Sequence, residues 1–437
     1  MAVKTVLVGG LTVLTCAVMI LAVLFKSKVR IFSFKIDTYW IITSVAATIL
    51  LISGLLNPAS FFTGLTTDIA DNPMKILILF LSITFLSIFL DEINFFRYLA
   101  NLTVKTAGKN QYLLFTALFL MISVLTLFTS NDVIILTFTP FLCYFAKYAG
   151  VNPIPYVFGE FIAANTWSMA FIIGNPTNIY LASSFGITFL EYLQVMIFPT
   201  LTASTVAFLL LLLIFRKQLA EPLHGETDEV NITDKVSVGI SITLLAGCTV
   251  LLALSSYLDI DMWLVPPIFA TALVAIVLIL NRFRKQKPSE LARTAKRVPW
   301  KFIPFLLSMF AISLALSNVH ITEMISSVLN RGDTVFTYGL TSFVTANLIN
   351  NIPMSMLYAF ILGSSPSSMM TCAMYATVIG SNIGAFLTPI GSLAGIMWIS
   401  LLKESNVKFG FVTFIKYGTI VAIPTILTAL LILNSLV

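Results

Sequence analysis

The chain has 437 residues, of which 58% are hydrophobic and 10% charged, with a mean hydropathy of +0.98. A soluble globular protein carries roughly 25% charged residues, so this surface faces lipid and no segment is polar for long enough to form a soluble domain. The net charge of +6 is gathered in a few loops, the pattern of a membrane protein with a basic inner face rather than of a nucleic-acid binder.

Taken in chain order, Met1–Phe25 carries Lys4 and then a long apolar run, which reads as a retained first helix and not a cleaved leader. Lys26, Lys28, Arg30 and Lys35 follow it, so that loop lies inside and the N-terminus outside. A helix near Tyr39–Leu56 runs outward to a loop with Asp68 and Asp71. A helix near Met74–Phe95 returns to Arg97, Lys105 and Lys109, and Gln111–Phe128 runs outward again. The segments Val133–Tyr148 and Pro155–Ile173 are short and broken, and a long helix near Thr188–Phe215 ends inside at Arg216-Lys217.

Helices near Val236–Tyr257 and Met262–Leu280 follow, joined by an outer turn with Asp259 and Asp261. The loop over residues 281–301 holds eight Lys and Arg residues and is the strongest inside marker. From that anchor Phe302–Ser317, Thr334–Leu348, the short pieces Met354–Leu362 and Met369–Leu402, and Phe411–Leu433 repeat the first half upside down. The expected fold is an all-α polytopic membrane protein of about ten to twelve segments in two inverted-topology repeats, each with a re-entrant hairpin and a broken helix. The first repeat covers residues 1–215, a cytoplasmic linker 216–235, and the second repeat 236–437.

Polar breaks interrupt both halves at corresponding places. The first pair is Ser130-Asn131-Asp132 and Asn350-Asn351-Ile352-Pro353; the second is Gly174-Asn175-Pro176-Thr177-Asn178 and Thr388-Pro389-Ile390-Gly391-Ser392. Irregular backbone at membrane depth persists only where protein buries it or where it lines a wet site. Matched breaks therefore point to a transporter's binding site. Asn131-Asp132 and Asn350-Asn351 read as tips of two half-helices meeting near the midplane, their free N–H groups suited to an oxygen-bearing solute. The plainer reading of these residues is helix capping. Thr139-Pro140 kinks or ends its segment. The later breaks unwind a helix and expose carbonyls, as cation sites do. Ala163 to Ser168 and Gly380-Ser381-Asn382 supply small and polar residues for close helix contact.

An acid at membrane depth is a functional candidate. Asp132 has no base near it in sequence and can hold a proton or a cation. Glu160, Asp91 and Glu92 are candidates for a proton path. For Asp91 and Glu92 the alternative is a salt bridge to Arg97, and for Glu160 a charge at a helix start. His320, Glu323 and His224 fall in loops. The cysteines Cys16, Cys143, Cys248 and Cys372 show neither metal nor disulfide spacing. No metal site, cofactor site or G-x-x-x-x-G-K-[ST] motif is present, so uphill transport needs an ion gradient or a separate subunit. Without paired acids or histidines at depth, an enzyme is the weaker reading.

The stretches LDEINFF (90–96), NDVIILTFTP (131–140), LINNIP (348–353) and YATVIGSNIGAFLTPIGSLAGIMWISLL (375–402) resemble the bacterial arsenite/antimonite efflux permeases (ArsB-type) of the ion transporter superfamily. The resemblance covers about residues 40–215 and 300–433. It implies expulsion of trivalent arsenic or antimony hydroxides, a small inorganic solute, in exchange for protons, from the bacterial plasma membrane. It also implies a homodimer and, in some members, a soluble ATPase partner. By this resemblance Asn131, Asp132, Asn350 and Asn351 take the hairpin-tip positions, and Asn175, Pro176, Thr388, Pro389 and Ser392 the broken-helix positions. The first broken segment, N-T-W-S-M-A-F-I-I-G-N-P-T-N, departs from that pattern. Relatives that import citrate or dicarboxylates with sodium carry Ser-Asn-Thr at both tips. Asp132 in place of Thr repels an anion unless protonated or cation-bound, which favours a neutral solute, or sodium/proton exchange of the NhaD type, over an anion.

Overall fold

The computed structural model describes residues 2–25, 28–31, 34–68, 72–222 and 234–437. Lys26, Asp71, His224 and most of the linker therefore lie outside the described residues. Apolar segments in lipid must close their backbone hydrogen bonds internally, and the described residues form twenty α-helices. The first half contains α1 (Ala2–Phe25), α2 (Thr38–Ile52), α3 (Pro58–Thr66), α4 (Pro73–Glu92), α5 (Phe95–Ala107), α6 (Gln111–Phe128), α7 (Asn131–Ala149), α8 (Ile154–Trp167), α9 (Pro176–Ser184) and α10 (Phe189–Leu219). The second contains α11 (Lys235–Leu254), α12 (Val265–Phe283), α13 (Ser289–Arg297), α14 (Phe302–Asn318), α15 (Ile321–Leu329), α16 (Thr334–Ile349), α17 (Asn351–Gly363), α18 (Ser367–Gly384), α19 (Leu393–Glu404) and α20 (Phe411–Leu436).

The two sets run in parallel, element for element. In each, α6–α7 or α16–α17 forms a hairpin, and α8–α9 or α18–α19 forms a helix broken by a 3-10 turn, Ile172–Gly174 or Pro389–Gly391. The match extends to single residues: Asn94 before α5 and His320 before α15 both take a left-handed φ of 62°. The halves are inverted. α4 ends where its counterpart α14 begins, since Asp91 pairs with Arg297 at 2.6 Å. The start of α2 lies on the same face, where Lys301 meets Asp37 at 2.6 Å. So does the start of α6, because Gln111 donates to the Glu221 carbonyl at 2.8 Å. On the opposite face Lys75 reaches Asp68 at 2.5 Å and Asp261 at 3.8 Å.

Across the halves α2 packs on α14, α4 on α12 and α10 on α20, while each returning hairpin arm packs on the other half's broken helix, α7 on α19 and α17 on α9. Among the described residues nine helices are long and apolar enough to cross a membrane. α2 is 15 residues long, and the broken helices reach across only as pairs.

Four expectations change. The fold is helical except for a short antiparallel pair, β1 (Lys28–Ile31) and β2 (Phe34–Asp37), where polar and apolar residues alternate with a strand's period. Residues 133–148 are not broken: α7 continues through Pro140, which loses one N–H but fits in a helix walled by neighbours. The loop over 281–301 contains α13. Asp91 and Glu92 pair not with the exposed Arg97 but with Arg297 and Arg293 of α13, at 2.6–2.7 Å. A partner two hundred residues away in sequence cannot be read from local spacing.

Candidate functional site

Each break forms because a short polar side chain caps the helix that follows it. Ser130 Oγ accepts from the Val133 N–H at 3.4 Å, Asn350 Oδ1 from Ile352 at 3.3 Å, Asn175 Oδ1 from Thr177 at 3.2 Å and Ser392 Oγ from Gly395 at 3.0 Å. Pro176 and Pro389 stand in the first turn of the pieces they open, where a missing N–H costs nothing. The capping reading therefore holds for these residues, and the caps orient the tips.

The tips do not bond to each other among the described residues. Each is tied to the broken helix of its own repeat: Asn131 Nδ2 donates to Asn165 Oδ1 at 3.1 Å, and Asn350 Nδ2 to the Ile390 carbonyl at 2.9 Å. In the second repeat Thr388 Oγ1 donates to Asn347 Oδ1 at 2.6 Å, and Asn347 Nδ2 to the Gly384 carbonyl at 2.9 Å.

The first break is joined to the second repeat through Asn382. Its Oδ1 accepts from Ser168 Oγ and from Asn175 Nδ2, both at 2.9 Å, while its Nδ2 donates to Asn178 Oδ1 at 2.9 Å. Ser381 Oγ donates to Thr177 Oγ1 at 3.1 Å, and Asn178 Nδ2 donates to the Ser168 carbonyl at 2.7 Å. So Asn175, Thr177 and Asn178 face protein and lock the two broken helices together. Asn165 and Asn382, absent from the expected site set, are the hubs. Each stands ten residues before the cap of its break, Asn175 or Ser392, and that shared register was the available signal. Gly174 is required beside them, because a Cβ there would strike the Ser168 carbonyl.

Two polar groups at the tips stay unpartnered. Asn351 is 2% exposed and its Oδ1 meets no donor. Asp132 is 7% exposed, and its carboxyl has no hydrogen bond or ion pair among the described residues. Tyr39 of α2 lies within its electrostatic reach. Tyr39 and Asn350 also line an apolar crevice of about 10 Å³ with Phe305, Ile390 and Leu393, close to the least volume that holds one water.

Glu160 is 1% exposed on α8, and both its oxygens accept from Thr139 Oγ1, at 2.9 and 3.0 Å. It is no interfacial helix-start charge. Asp91, Asp132 and Glu160 are the buried ionisable acids among the described residues, and no Lys, Arg or His is buried there. Only Asp91 has a cation.

A larger cavity of about 480 Å³ opens on the basic face, between the ends of α4 and α12 and the start of α11. It is walled by the ion pairs of Glu92 with Arg293 and of Asp234 with Arg284. The Arg284 guanidinium and the Ser237 hydroxyl hold the Asp234 carboxyl down to about 2. His320 is half-exposed and meets Glu323 at 2.8 Å.

Residues 14–374 match a family model described as citrate transporter, CitMHS. The chain is 28% identical over 372 residues to the arsenical pump membrane protein of Escherichia coli (strain K12), covering 80% of this chain and 84% of that one. It is also 28% identical over 365 residues to the arsenical pump membrane protein of Yersinia enterocolitica, with the same coverage. Among solved structures, the YdaH transporter of Alcanivorax borkumensis superposes with a TM-score of 0.54 at 15% identity, over 99% of this chain and 97% of that one. That likeness carries the fold.

Proposed function

The chain belongs to the citrate transporter (CitMHS) family of the ion transporter superfamily, and from that premise we propose that it expels arsenite or antimonite across the plasma membrane in exchange for protons. The observation that carries this reading is the charge of the interior: two unpaired buried acids, Asp132 and Glu160, and no buried base among the described residues. A citrate anion bound beside Asp132 would need enough cations to offset both its own charge and the carboxylate. Trivalent arsenic and antimony hydroxides are uncharged near neutral pH and present only O–H groups. Asn351 Oδ1 and the Asp132 carboxyl are free to accept from such groups, and the neighbouring caps hold the tips in place.

In this mechanism the solute binds at the tips, between the two broken helices. Asp132 takes a proton on the outer side once the solute has left, carries it as the empty site returns, and releases it inward before the next solute binds. Neutralising the carboxylate lowers the cost of carrying the site through lipid. The basic loop over 281–301 sets the cytoplasmic face and the N-terminus outside.

A second reading rests on the family's description: sodium-coupled uptake of citrate, or sodium/proton exchange, by the same site. Everted vesicles with an imposed proton gradient, offered arsenite, antimonite, citrate and sodium in turn, separate the three. Arsenite or antimonite accumulation is expected; accumulation of citrate alone, or sodium flux alone, overturns the efflux reading. Asp132→Asn is expected to lower gradient-driven accumulation by roughly 100-fold. Accumulation at the wild-type rate in that variant would show that Asp132 does not couple.

A further inference from the structure

Glu160 and Thr139 form a buried pair that the binding site leaves unused. Thr139 stands seven residues after Asp132 on α7, so the two occupy nearly the same face, two turns or about 10 Å apart along the axis. Pro140 lacks the N–H that would bond the Leu136 carbonyl. Tyr156, one turn before Glu160 on α8, bonds Gln111 at 2.8 Å, and Gln111 bonds the Glu221 carbonyl at the basic face. Glu160 therefore lies between Asp132 and the basic face, one turn in from its edge.

We propose that Glu160, held by Thr139, is a second proton-holding station on the inward path from Asp132. This rests on the proton-coupled reading above. A hydroxyl both donates and accepts, so Thr139 satisfies the carboxylate by donating to it and the neutral acid by accepting from it. The pair tolerates either state without a cation, whereas a purely structural buried acid would call for a fixed base. On α7 the titratable neighbour is the Cys143 thiol, which lies within electrostatic reach of Glu160. Phe158 and Phe161, flanking Glu160 on α8, pack on Trp398 of α19 and Phe414 of α20, and Phe158 also meets the titratable Tyr417 of α20. The second repeat has no counterpart: at the register of Glu160 it carries Thr377, which donates to the Ala373 carbonyl at 2.7 Å. The chemistry is one O–H bond made and broken on each carboxyl in turn. The gap between the stations requires water admitted while the path is open, since the two carboxyls do not touch.

The test separates exchange from net transport in proteoliposomes of the full chain. Exchange of labelled for unlabelled arsenite at equal pH moves no net proton, while gradient-driven arsenite accumulation does. Glu160→Gln is expected to keep exchange within about twofold of wild type and to lose gradient-driven accumulation by roughly tenfold or more. Accumulation at the wild-type rate and pH profile overturns the proposal. Should Glu160→Gln lose exchange as well, Thr139→Val decides the matter. Its pH optimum for accumulation is expected to shift by about one unit, as a lost hydrogen bond to one protonation state requires, and an unchanged profile overturns the proposal. The wild-type protein is the control for the cargo. If it moves citrate or sodium instead of arsenite, the efflux reading fails and the variants are compared on that cargo. If it moves none of them, both proposals fall.

Discussion

At the scale of single residues, the deciding feature is which buried polar groups are satisfied. Asn382 uses its carboxamide to hold Ser168, Asn175 and Asn178 from the other half. Each buried group left without a partner costs roughly 1–3 kcal/mol. Asn382→Ala removes three hydrogen bonds and leaves Asn175 Nδ2 without a partner, so an apparent melting temperature lower by about 5 °C or more is expected, read by thermal unfolding in detergent. An unchanged melting temperature would mean that the two broken helices are held by apolar packing instead. Asp132 is the opposite case, a buried group with no partner among the described residues, which is why the proposed function assigns it to the cargo rather than to the fold. Local sequence marked Asp132, Asn175 and Asn178 alike. Their division into one free group and two locked ones depends on a residue about two hundred positions away.

At the scale of elements, the hairpins and broken helices pack closely because small residues line their contacts. Gly380 of α18 lies against the Gly339 carbonyl and Ser342 of α16, and an added Cβ would overlap both. Gly380→Val must therefore push α18 from α16. The expected result is a protein that inserts but transports at about a tenth of the wild-type rate or less, measured at matched expression as flux of the cargo that the wild-type protein moves. Normal flux would mean that the hairpin slides freely on its broken helix. Helix continuity through Pro140 shows the limit of local rules. Proline signals a stop or a kink in isolation, but α7 is walled by α6, α8 and α19, and these neighbours keep it straight enough to present Asp132 and Thr139 on one face.

At the scale of the whole molecule, the halves are joined at two levels: the amide cluster at the breaks and an ionic cluster at the basic face. Arg297 binds both Asp91 and Glu92, and Arg293 binds Glu92, so α13 of the second half clamps the end of α4 in the first. Removing one partner of a buried ion pair leaves an uncompensated charge and costs more than removing both. Arg297→Ala is expected to lower stability by about 3 kcal/mol, and adding Asp91→Asn to recover about 1 kcal/mol or more. Denaturant unfolding of the single and double variants measures the coupling, and strict additivity would remove the clamp from this account. These acids hold the end of α4 to α13.

Hydropathy, charge placement and polar interruptions determined the class, the number of apolar segments within a narrow range, the inverted repeat and the position of every break. They could do so because lipid forces each segment to close its own backbone hydrogen bonds, and any departure from that rule must appear locally as Ser, Asn, Gly or Pro. The tertiary structure alone decided which polar groups are satisfied and by what: Arg297 rather than Arg97 for Asp91, Asn382 for the first break, Thr139 for Glu160, and, among the described residues, nothing for Asp132. Those pairings join residues far apart in the chain, and only packing brings them within the few ångströms over which a hydrogen bond or an ion pair acts.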